Sequence, residues 1–112
     1  MYEGAIIKET LTDELLLDLL TIDRVEIWKS SDENIKYWTM VFFHSDVEDF
    51  PQRLSNAIIG EWFADMKRDN TKYIVFKGKV LKYEIGNSAE KEEVLSYMRS
   101  IGLPDSSFGW SE

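Results

Sequence analysis

His44 is the only histidine in this 112-residue chain, and cysteine is absent. Histidine is the side chain type that exchanges protons near neutral pH, so His44 is the candidate for proton transfer. It closes the apolar run Tyr37-Trp38-Thr39-Met40-Val41-Phe42-Phe43, in phase with Trp38, Met40 and Phe42. A base needs a positioned partner, and without one a histidine at a strand end is a hydrogen-bonded structural residue. The carboxylate that could serve is Asp65, the one acid within Trp62-Phe63-Ala64-Asp65-Met66-Lys67. Its competing role is an ion pair with a lysine across a strand ladder.

The second chemistry-bearing set is aromatic. Four tryptophans, Trp28, Trp38, Trp62 and Trp110, are many for this length. Together with Tyr37 and Tyr73 they could wall a pocket for a planar or apolar ligand, with Trp38, Trp62 and Tyr73 as the ligand-binding candidates, or the same rings could fill a core. The lysines Lys67, Lys72, Lys77, Lys79 and Lys82 make one stretch locally basic. They read as charges that guard exposed strands, with an anion or RNA contact as the lesser alternative.

Other chemistry is excluded by what is missing. Without cysteine there are no disulfides, thiolate metal sites or iron–sulfur clusters, and one histidine leaves a zinc site to lean on carboxylates. No Gly-rich phosphate loop, G-x-S-x-G elbow, H-E-x-x-H helix or EF-hand pattern is present, so neither a cofactor nor a metal is expected. Thirteen Lys and Arg against 21 Asp and Glu give a net charge of −8, which repels nucleic acid and anionic membrane. No apolar run approaches the roughly 20 residues that cross a bilayer, and the N-terminus lacks a secretory pattern, so the expected location is cytoplasmic.

The elements that must position these residues follow from periodicity. Glu3 to Glu9 reads as a short buried strand, and Leu11, Leu15, Leu16, Leu19 and Leu20 form a helical stripe, with Thr12 as cap for a helix over 13–20. Ile22 to Lys29 alternates as a strand, Ser30 to Asn34 as a loop, and Lys36 to Ser45, apolar on both faces, as the central strand. Asp46 or Asp49 caps the next helix, which buries Val47, Phe50, Leu54, Ala57 and Ile58 and closes on Gly60 as a left-handed cap. A three-stranded meander follows over 62–67, 73–77 and 79–85, with turns at Asp69-Asn70 and Gly78. The last helix begins at Asn87 or Ser88, where Asn87 and Glu90 have capping-box spacing, and ends at Gly102 before Pro104. Phe108 and Trp110 should dock the tail.

The expected architecture is one α+β domain over 1–112, ordered β-α-β-β-α-β-β-β-α: a mostly antiparallel sheet with helices packed on one face. Its first six elements match the ferredoxin-like arrangement.

Tyr37-Trp38-Thr39, Gly60-Glu61-Trp62-Phe63-Ala64-Asp65, Val75-Phe76-Lys77-Gly78-Lys79-Val80 and the close Ser100-Ile101-Gly102-Leu103-Pro104 with Trp110 form a pattern. It resembles a family of short uncharacterised bacterial proteins that end in Gly-Ile-Pro and a late tryptophan. The resemblance spans nearly the whole chain and implies no activity, cofactor or substrate. Where that family closes on Gln-Leu-Asp-Trp, this chain has Ser107-Phe108-Gly109-Trp110.

Three functional readings remain. The first is a non-enzymatic binding or protein-interaction module that offers an aromatic sheet face to a protein partner, a small ligand or a second copy in a homodimer. The second is a small dimeric α+β-barrel enzyme with His44 as proton-transfer residue and Asp65 converging on it. The third is an acidic immunity-type antagonist of a basic partner, which requires a single-sign carboxylate patch.

Overall fold

The computed structural model describes residues 1–29, 37–60 and 62–112. The predicted loop from Ser30 to Asn34 and the strand start at Lys36 lie outside them. Six strands, β1 (Tyr2–Ile7), β2 (Thr21–Lys29), β3 (Tyr37–Ser45), β4 (Phe63–Arg68), β5 (Thr71–Phe76) and β6 (Lys79–Glu84), form one antiparallel sheet. Its order is β2-β3-β1-β4-β5-β6, so the meander joins the N-terminal strands. The portion β2-β3-β1-β4 has the ferredoxin-like strand order anticipated from the element sequence. β3 is second from the edge, and the centre belongs to β1 and β4.

The two crossover connections of that portion lie on one face. The first is a 3₁₀ helix, Glu14–Leu19, in place of the predicted α-helix, and Asp13, not Thr12, caps it by accepting from the Leu15 N–H. Six residues are too few to propagate an α-helix unaided, and only Leu16 of the stripe is fully buried, while Leu15 faces solvent. The second connection is helix α1 (Phe50–Ala57), with Pro51 in its first turn. Leu16, Phe50, Leu54, Ala57 and Ile58 pack against Tyr2, Ile6, Val41, Phe43, Ala64, Met66 and Val75 as the larger core. Gly60 does not cap α1. The helix ends at Ala57 because Ile58 turns extended and bridges Leu11, with Thr12 N–H donating to the Ala57 carbonyl at 2.7 Å and Ile59 N–H to that of Thr10 at 2.9 Å.

The expectation that all helices share one face is wrong. Helix α2 (Ser88–Ser100) packs Val94 and Met98 on Ile74, Phe76 and Tyr83, which point away from the face that carries Val75. β5, apolar on both faces, requires a cover on both, and α2 supplies the second. Asn87 caps α2 through the Glu90 N–H, while the Glu90 carboxylate accepts from the Glu84 N–H, three residues before the Asn87 N–H that the usual reciprocal box would engage. Gly102 ends the helix with φ +91°, as the sequence predicts.

The two halves of the sheet meet where β1 pairs with β4 over only three residues, Glu3 to Ala5. Gly4 is required there: a Cβ would stand 2.5 Å from the Asp65 carbonyl oxygen and 2.8 Å from the Met66 Cβ. Among the described residues no helix is long and apolar enough to cross a membrane.

Candidate functional site

Helix α2 and the tail cover β4, β5 and β6 on their face of the sheet, and among the described residues no helix covers the same face of β2, β3 and β1. Strand register sets what this open face shows. Arg24 lies opposite Phe42, Glu26 opposite Met40, Ala5 opposite both Phe42 and Asp65, and Glu3 opposite both His44 and Lys67. Directly opposed residues share a face, so these side chains form one surface. Between that surface and the tail runs an open groove of about 850 Å³. Trp28, Met40, Phe42, Phe63 and Trp110 supply its apolar walls, and Glu3, Asp23, Arg24, Asp65, Lys67 and Lys72 its charge. The Arg24 guanidinium sits 3.8 Å over the Phe42 ring, a cation–π contact that leaves its charge in the groove.

Lys72 is the buried cation of this site, 3% exposed. Its Nζ donates to Asp65 Oδ2 at 2.6 Å and to the Ser111 carbonyl at 2.6 Å. It is therefore no strand-guarding surface lysine. Parity explains the difference: Lys72 alternates in phase with Ile74 and Phe76, so it enters the covered face beside Tyr83.

The tail crosses the covered side of the groove in a run of specific contacts. Trp110 meets Phe63 edge-on, with centroids 6.2 Å apart, and its Nε1–H donates to the Tyr83 hydroxyl at 2.9 Å. The Tyr83 hydroxyl donates to Glu112 Oε2. Lys67 Nζ donates to the Glu112 main-chain oxygen at 3.2 Å, and Lys91 Nζ lies 3.5 Å from Glu112 Oε1. Burial, then the hydrogen bond to Glu112, pushes the Tyr83 phenol up to about 12. The same hydrogen bond, helped by Lys91 and Lys72, holds the Glu112 carboxyl below its ordinary value. The predicted docking of the tail thus has a polar half that sequence reading missed, built on Lys72 and Tyr83.

The predicted catalytic pair is not assembled. His44 and Asp65 share a face, but one stands opposite Glu3 and the other opposite Ala5, two strand spacings apart, or about 9.5 Å sideways, and offset by two residues along the strand. The resulting separation of backbone positions is about 12 Å, beyond a one-water relay. Each carboxylate has another role: Asp23, the extra residue of a bulge in β2, lies 2.8 Å from His44 Nδ1, and Asp65 holds Lys72. His44 lines a separate shallow depression with Asp18, Thr21 and Asp46, outside the groove.

The three aromatic candidates are also placed elsewhere. Trp38 and Trp62 pack on one another, with centroids 4.9 Å apart, and Tyr73 packs edge-on against Tyr2 at 5.4 Å on the opposite face. None of them lines the groove, and the tryptophans that do are Trp28 and Trp110. Among the described residues no cluster of three His, Asp or Glu side chains could hold a metal ion. No protein-family model matches the chain, and neither a curated protein nor a solved structure matches it.

Proposed function

We propose that this protein is a non-enzymatic protein-interaction module. Its site is the groove on the uncovered half of the sheet, and its partner is an extended segment that carries an aromatic side chain next to a carboxylate.

The observation that supports this reading is the way the chain treats its own residues 110–112. An indole goes against Phe63, a main-chain carbonyl onto Lys72, and a carboxylate onto Tyr83 and Lys91. The neighbouring open part of the groove offers similar chemistry, with Phe42, Met40 and Trp28 as apolar surface and Arg24 as cation, beside Lys67, which also holds the Glu112 main chain. An aromatic anchor in an apolar slot with charge at the rim is the usual composition of a segment-binding site. Mixed charge within the groove also favours this reading over an antagonist that relies on a single-sign acidic patch.

The experiment is selection of random peptides on the immobilised protein, repeated on a Phe42→Glu variant. Enrichment of an aromatic residue adjacent to Asp or Glu, lost on the variant, is the expected result. Enrichment of basic sequences without an aromatic, or binding indifferent to Phe42→Glu, would defeat the proposal.

A further inference from the structure

β2 is one of the two edge strands of the sheet, nine residues long, and its protection against pairing is a bulge and charges of both signs, Asp23, Arg24, Glu26 and Lys29. Proline is absent from it, its only lysine is its last residue, and its bulge lies near one end, between Ile22 and Arg24. Ile22, Val25 and Ile27 are 47%, 50% and 62% exposed on one face, and Trp28 is 47% exposed on the other. Such an edge is a template for another strand.

The charges on β2 say which strand. On the groove face, Arg24 Nε lies 2.8 Å from Glu26 Oε2, and Trp28 Nε1 donates to Glu26 Oε1 at 3.0 Å, so opposite charges alternate along the edge. An antiparallel copy of the same strand, placed with the two-fold axis at Val25, sets each Arg24 opposite Glu26 of the second copy and Val25 against Val25. Centring on Glu26 or on Arg24 would set like charges face to face, which is destabilising. Centring on Ile27 would pair Glu26 with Trp28 and Val25 with Lys29, with no ion pair between copies. Of these four registers, self-complementarity selects the one centred on Val25.

We infer that the protein forms a two-fold dimer through β2, antiparallel and centred on Val25, in which the sheets of two copies join edge to edge and Arg24 and Glu26 form a four-member charge cluster across the axis. This surface is distinct from the groove floor. It brings the two grooves side by side, because Arg24 and Trp28 of each copy line their own groove next to the shared edge. A second copy satisfies the main-chain groups of both edges at once, and the closed two-fold arrangement leaves no free β2 edge to propagate.

Charge reversal tests the register. Sedimentation velocity of the full chain at low salt, from micromolar to several hundred micromolar, should show a monomer–dimer equilibrium that weakens with added salt. Arg24→Glu and Glu26→Arg should each raise the dissociation constant at least about tenfold, since two symmetric attractive pairs become repulsive. An equimolar mixture of the two single variants should form a heterodimer, and the double variant Arg24→Glu/Glu26→Arg should recover the wild-type constant. Recovery in the mixture separates a pairing effect from misfolding. A wild-type monomer throughout the range, a dimer indifferent to the reversals, or single variants rescued by neither mixing nor the double swap would each overturn the inference.

Discussion

Replacing Lys72 by methionine keeps the buried stem and removes the ammonium. The structure fixes the size of the effect. Lys72 is 3% exposed and donates to Asp65 Oδ2 and to the Ser111 carbonyl, both at 2.6 Å. Breaking a fully buried charge pair from one side costs about 3–5 kcal/mol, because the remaining charge is stranded. The Asp65 side chain is 30% exposed through the groove, so water relieves part of that cost, and Ser111 lies in the exposed tail and loses little. The expected loss is about 2–3 kcal/mol, which for a domain of this size lowers Tm by about 8–12 °C. Urea unfolding followed by far-UV circular dichroism measures it. Adding Asp65→Leu removes the stranded carboxylate, so Lys72→Met/Asp65→Leu should be more stable than Lys72→Met alone, with a coupling of about 2 kcal/mol in the double-mutant cycle. A loss below about 0.5 kcal/mol for Lys72→Met, or no recovery in the double variant, would show that this pair does not anchor the site.

Three further perturbations probe the parts that position the groove. Gly4→Ala should cost at least about 2–3 kcal/mol and loosen the β1–β4 seam, seen as faster amide exchange at Asp65 to Lys67, because the new Cβ meets backbone and not a movable side-chain end. Asn87→Ala should cost about 1 kcal/mol in thermal unfolding, since the cap on the Glu90 N–H is lost. The contact between Tyr83 and Glu112 should follow pH from both sides. Glu112 is depressed below its ordinary 4.5, so its contribution is complete above that value and is lost as pH falls through the lower folded value. Tyr83 is raised, so the contribution of its protonated phenol is complete below its ordinary 10.0 and is lost as pH rises through about 12. The Trp110 indole N–H resonance should therefore report a docked tail across the interval between, and a tail that stays docked above pH 12 would contradict the assignment.

Much of the fold is legible in the residues. Alternation in Ile22 to Lys29 and the aromatic, β-branched run Tyr37 to Ser45 mark a hairpin, and the order of elements around it dictates β2-β3-β1-β4. The apolar run of β3 suggests burial on both faces, yet Thr-Lys-Tyr-Ile-Val-Phe of β5 is the strand with cores on both sides, and that is what sends α2 across the sheet. The end of α1 was not legible, because a distant main-chain bridge to Leu11 overrides the local appeal of Gly60. At the site, composition pointed to aromatics without saying which. Trp28 and Trp110 reach the groove through strand register and the docking of the tail, both long-range facts. Lys72 reads as a strand-guarding charge because the expected strand begins at Tyr73, and its parity with Ile74 and Phe76 is the signal that could have placed it inside.

The role proposed for the uncovered sheet face is to take an extended aromatic–acidic segment. Its most direct test is a titration of isotopically labelled protein with the leading peptide of the selection, followed at the tryptophan indole N–H resonances. Saturable shifts at Trp28 and Trp110, with Trp62 unmoved, are the predicted result. Shifts confined to Trp62, or none at saturating peptide, would contradict the claim.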